Sequence, residues 1–74
     1  MKVLGFQRKS YDFEGHKGEG YNLWLAEERP GVDGVAAERY FVSDRKLGTY
    51  LPKVGDKLTV SFNRFGKIQS VALM

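Results

Sequence analysis

The run from Asp56 to Leu73 constrains the chain most, because its apolar spacing fits a β-hairpin. Leu58, Val60 and Phe62 alternate with Thr59, Ser61 and Asn63, the period of two expected of a strand with one buried face. Beyond the tip, Ile68, Ser70 and Ala72 alternate with Gln69, Val71 and Leu73. That spreads apolar residues over both faces and predicts a last strand covered on each side, by the core and by a partner or closing strand. Asn63-Arg64-Phe65-Gly66 joins the two runs. Asn and Gly tolerate the positive φ of short hairpin loops, so a basic and an aromatic side chain are offered together at the tip.

A chain of 74 residues makes one domain, residues 1–74. At this size only about 60% of the unfolded chain's surface is buried on folding, so the core has little in reserve. Without cysteine there is no disulfide and no thiolate metal site, and His16 alone cannot hold zinc. Stability is expected from a compact apolar core, from oligomerisation, or from both. No cofactor is expected. No run approaches the roughly 18 apolar residues of a membrane span, and the first residues lack a signal peptide's apolar stretch. The lack of cysteine fits a reducing cytosol, and a cytoplasmic location is expected. The chain begins with Met1, carries no tag or linker scar, and reads as a complete gene product. Twelve bases against nine acids give a net charge of +3, which leans toward a polyanionic partner.

Lys2–Phe13 reads as a long first strand whose apolar side switches near Gly5 or Arg8, as in a strand bent by a bulge to serve two sheets. Glu14–Gly20, with Gly15, Gly18 and Gly20, reads as a flexible hairpin connection. No strand-loop-helix context follows to make it a phosphate-binding glycine loop. Tyr21–Glu28 is the second strand, with Tyr21, Leu23 and Leu25 toward the core and Asn22, Trp24 and Ala26 pointing away. Arg29–Gly34 is a turn-rich loop, and Ala36–Ser43 a third strand on which Arg39 and Phe41 oppose Glu38, Tyr40 and Val42. Ser43-Asp44 is placed to cap one helical turn over Arg45-Lys46-Leu47, ended by Gly48. Leu47, Leu51 and Val54 are expected to plug one end of the fold.

Five short strands with a helical turn between strands three and four predict an all-β, five-stranded barrel of the oligonucleotide-binding (OB) type, with the SH3-like barrel as the alternative. Catalysis finds little support. Ser10, Ser43, Ser61 and Ser70 have only His16 as a possible imidazole base, and Glu27-Glu28 point to opposite faces of a strand. No enzyme and no small-molecule substrate are expected. Single-stranded nucleic acid wants aromatic faces interleaved with Lys and Arg. Phosphate contacts are expected from Lys9, Lys17, Arg39, Arg45, Lys46 and Arg64, and stacking from Tyr11, Tyr21, Trp24, Tyr50 and Phe65. In the alternative, Trp24 and the tyrosines line a groove for an extended peptide.

The whole chain resembles the small single-stranded DNA-binding proteins of phages and mobile elements, of the filamentous-phage gene V type. The resemblance rests on length, on five strands without a long helix, and on hairpins carrying Tyr11, His16-Lys17-Gly18, Tyr21 and Arg64-Phe65-Gly66. Lys53–Val60, with its Val-Gly-Asp lead-in to a strand, is similar in style to OB-type barrels. The resemblance implies a homodimer that coats single-stranded DNA without strong sequence preference during replication or transfer of an element, with RNA as an alternative polymer. A tyrosine-rich edge and the apolar last strand also predict a dimer.

Overall fold

The computed structural model describes residues 1–12 and 14–74 in full. Five strands follow in the order β1 (Lys2–Phe13), β2 (His16–Glu27), β3 (Ala36–Ser43), β4 (Leu58–Phe62) and β5 (Ile68–Leu73), with a single helical turn, α1 (Asp44–Leu47), between β3 and β4. The chain is all-β apart from that turn. All pairing within the sheets is antiparallel: β1-β2-β3 form one sheet and β4-β5 the other.

The first residues of β1 join the sheets. Val3 N–H donates to the Asp56 carbonyl at 2.8 Å, Gly55 N–H donates to the Val3 carbonyl at 2.8 Å, and Leu58 N–H donates to the Met1 carbonyl at 2.7 Å. This is what the Val-Gly-Asp lead-in does. Gly55, at φ 92°, makes the bend that returns the chain to β1. The barrel does not close on its other side, because no ladder forms between β3 and β5. Side chains bridge that seam instead. Lys46 Nζ donates to the Ile68 carbonyl at 3.0 Å, and the Tyr40 and Phe62 rings lie 5.7 Å apart.

Val3, Leu23, Leu25, Val42, Leu47, Leu58 and Ile68 form the core between the sheets. Leu47 is buried as expected, but Leu51 and Val54 are 71% and 68% exposed and plug nothing. Pro52 is the buried residue of that connector. Gly48, at φ 63°, ends α1, while the Ser43 hydroxyl makes no capping bond.

Two further expectations are corrected, both by register. The Glu14–Gly20 loop is only a two-residue turn at Glu14-Gly15, with φ 49° and 78°, and β2 already begins at His16. Gly18 and Gly20 are strand residues required by close approach. A Cβ at Gly18 would strike the Tyr11 ring, and one at Gly20 would strike the Val42 carbonyl and lie 2.7 Å from Ser43 Cα. In β5, a bulge at Gln69 pairs Ser61 with Ser70 but Phe62 with Ile68. Leu58, Val60, Phe62, Ile68, Val71 and Leu73 therefore share one face. The last strand has a single apolar side, not two.

The switch of face in β1 is also a bulge. Val3 pairs with Leu25 and Gly5 with Trp24, which leaves Leu4 as the extra residue, 47% exposed. From Gly5 to Tyr11, odd-numbered residues of β1 face away from the core.

Candidate nucleic-acid interface

The cross-strand register sorts the side chains of the three-stranded sheet into two chemistries. On the face turned from the core, β1 places Lys2, Gly5, Gln7, Lys9 and Tyr11 beside Ala26, Trp24, Asn22, Gly20 and Gly18 of β2. β3 adds Ala37, Arg39, Phe41 and Ser43 next to the same β2 residues. Among the described residues this open face holds no carboxylate. All four acids of these strands, Asp12, Glu19, Glu27 and Glu38, fall on the core side of the sheet.

The core-side acids are largely engaged. Arg29 bridges Glu27 at 2.8 Å and Glu38 at 2.7 Å. Its hydrogen bond, with a second from the Tyr40 hydroxyl, holds the Glu38 carboxyl below its ordinary pKa. Arg8 bridges Glu19 at 2.8 Å and Asp44 at 2.5 Å, and its hydrogen bond likewise lowers the Asp44 pKa. In contrast, Lys9, Arg39, Arg45 and Lys67 enter no ion pair among the described residues.

Three rows of the open face make a surface suited to bases and phosphates. Trp24, half-buried, lies between Gly5 and Arg39. Asn22 lies between Gln7 and Phe41, and its Nδ2 donates weakly to Gln7 Oε1 at 3.4 Å. Tyr11 covers Gly18 and meets the Phe41 ring edge-on at 5.5 Å. An open groove is lined by Gln7, Lys9, Tyr11, Asn22, Arg39 and Phe41 of the open face, and at the β3 edge it also meets Tyr40, Lys46, Gly66, Lys67 and Ile68. Gly66 and Lys67 come from the β4–β5 tip, whose shape Asn63 fixes: its Oδ1 accepts from the N–H of Phe65 at 2.9 Å and of Lys67 at 3.1 Å.

Lys9, Tyr11, Arg39 and Lys46 thus line one groove, with Trp24 on the same face one row along. Phe65 stands 72% exposed on the tip, with the Arg64 guanidinium 4.9 Å from its ring centre. Lys17 and Arg45 lie at the far end, Lys17 opposite Asp12 and Arg45 on α1. Tyr21 is on the core side, edge-on to Phe6 at 5.9 Å and under the Arg8 guanidinium at 5.0 Å. Tyr50 is remote from the groove, and its hydroxyl donates to Asp56 Oδ2 at 2.7 Å. Burial, then that hydrogen bond, pushes its pKa up to about 12. Gln7, Asn22, Phe41 and Lys67 are groove residues that were absent from the candidate set. Their signal is the register across three strands, which a single sequence does not display.

Among the described residues no His, Asp and Glu group could hold a metal ion, and no helix is long and apolar enough to cross a membrane. Compared with family models, with curated proteins and with solved structures, the chain matches none.

Proposed function

We propose that the chain is a non-catalytic single-stranded DNA-binding protein that uses the open face of the β1-β2-β3 sheet. The observation that carries this is the segregation of charge. Every acid of three strands lies on one side, while Lys9 and Arg39 stand unpaired among the described residues beside Trp24, Tyr11 and Phe41 on the other. Phosphates are attracted by cations free of carboxylate partners, and bases of any sequence stack on exposed rings. Lys46 and Lys67 also line the groove and add charge, and Phe65 on the adjoining tip adds a platform. A cytoplasmic, homodimeric protein serving replication or transfer of a mobile element is the setting we infer from the sequence resemblance.

The test is Trp24 fluorescence during titration with oligothymidylate at about 50 and about 200 mM salt. With one tryptophan in the chain, the signal has one source. Quenching that is strong at low salt and reversed at high salt is expected. Salt-independent silence, with no mobility shift, sinks the proposal. Competition with oligouridylate then reports whether the sugar matters, since only RNA carries the 2′-hydroxyl.

A further inference from the structure

Beyond Tyr11 the groove does not end. Tyr11, Ser43 and Lys46 also line a second groove, which continues past Arg45 to Gln69 and Ser70 on β5. We propose that a bound single strand turns at Tyr11 and follows this second groove, with Arg45 as a phosphate contact of the extended site. The inference rests on the function proposed above and adds a path and residues to it.

Four observations carry it. The two grooves share a wall, so a flexible polymer can pass from one to the other without crossing the core. Arg45 is exposed and enters no ion pair among the described residues, although Asp44 is its neighbour in the chain. Glu19, which lines this second groove, and Asp44, next to Arg45, are both held by Arg8, so their repulsion of a phosphate is muted. Ser70, hydrogen-bonded to Ser61 across the β4–β5 ladder, supplies one hydroxyl at the far end, where a neutral donor can reach a phosphate oxygen.

The experiment compares Arg45→Ala and Arg39→Ala with the unaltered chain on oligothymidylates of about four and about twelve nucleotides, lengths within the range of small barrel sites. Comparing each variant with the unaltered chain at the same length removes the statistical advantage of a longer lattice. Arg39→Ala is expected to weaken both lengths. Arg45→Ala is expected to weaken only the longer one, by roughly three- to tenfold, with the salt slope reduced by about 0.7. An Arg45→Ala protein equal to the unaltered chain at both lengths overturns the extended path. Equal loss at both lengths also overturns it, because Arg45 would then belong to the first groove. If the unaltered chain binds neither length at low salt, the proposed function itself falls and the path falls with it.

Discussion

Trp24 and Arg39 face one another across the β2–β3 ladder, on the side of the sheet that holds no carboxylate among the described residues. Neighbouring strand backbones run about 4.8 Å apart along the hydrogen-bonding direction, a spacing at which one nucleotide can stack on the ring and reach the cation through its phosphate. The two side chains should therefore fail differently. Arg39→Ala should lower affinity for oligothymidylate and reduce the salt slope by about 0.7, while Trp24→Ala should weaken binding by about 1–3 kcal/mol with the slope unchanged. Titrations at several salt concentrations separate them. A changed slope for Trp24→Ala would count against stacking.

Arg8 has the opposite task. Its guanidinium is tied to Glu19 and Asp44, so its charge neutralises acids instead of standing free for a phosphate. Arg8→Ala should weaken DNA binding by releasing two carboxylates beside the route, and Arg8→Ala with Glu19→Gln and Asp44→Asn should recover most of the loss. If the triple variant binds no better than the single one, Arg8 is a direct phosphate contact.

The same pair sets a response to acid. The Arg8 hydrogen bond depresses the folded-state pKa of Asp44. A depressed carboxylate contributes stability above its unfolded pKa, near 4, and loses it as pH falls through the folded value. Carboxyl NMR titration should find Asp44 below the ordinary range, returning to it in Arg8→Ala. Tyr50 works at the other end of the scale. Its pKa, pushed up to about 12 by burial and by Asp56, means a contribution present below about 10 and lost as pH rises toward 12. Tyr50→Phe should remove that alkaline loss and lower stability by about 1 kcal/mol at neutral pH. Urea unfolding at pH 7 and 11 checks both.

Gly18 and Gly20 should respond unequally to Ala. At Gly20 the added Cβ meets backbone, the Val42 carbonyl and Ser43, which cannot yield without breaking the β2–β3 pairing. Gly20→Ala should destabilise by about 1–3 kcal/mol, read as a lower urea midpoint. At Gly18 it meets the Tyr11 ring, whose end can swing away. Gly18→Ala should leave the midpoint nearly unchanged but weaken oligothymidylate binding by displacing Tyr11. Equal destabilisation by both would show that Tyr11 is as immobile as the backbone.

Much of the fold was legible from alternation alone. β1, β3 and β5 run as their patterns indicate, and α1 ends where Gly48 follows Leu47. What alternation misses is phase. Apolar residues at both parities of β5 read as two buried faces, whereas a bulge at Gln69 puts them on one. Three glycines in six residues read as a loop because the ring and carbonyl groups that demand two of them, Gly18 and Gly20, lie 7 to 22 positions away, at Tyr11, Phe41 and Val42. The candidate site suffered in the same way. Lys9, Tyr11, Trp24 and Arg39 were recognisable by type, but their shared face depends on the extra residue at Leu4 and on how β2 meets both neighbours. Tyr50 has the right chemistry in the wrong place, because Asp56 holds it across the connector.

Leu4 has one more implication, for how this protein can change its length. Every side chain from Phe6 to Asp12 takes its side of the sheet from a count that restarts at that bulge. Insertion or loss of one residue within that span would invert the arm, setting Arg8 and Asp12 among the groove residues and Lys9 and Tyr11 on the core side. Insertions in matched pairs, two residues on β1 and two on β2, would preserve both faces. The reach of the arm is therefore quantised: it can grow or shrink only in steps of about 7 Å, the length of one full strand repeat.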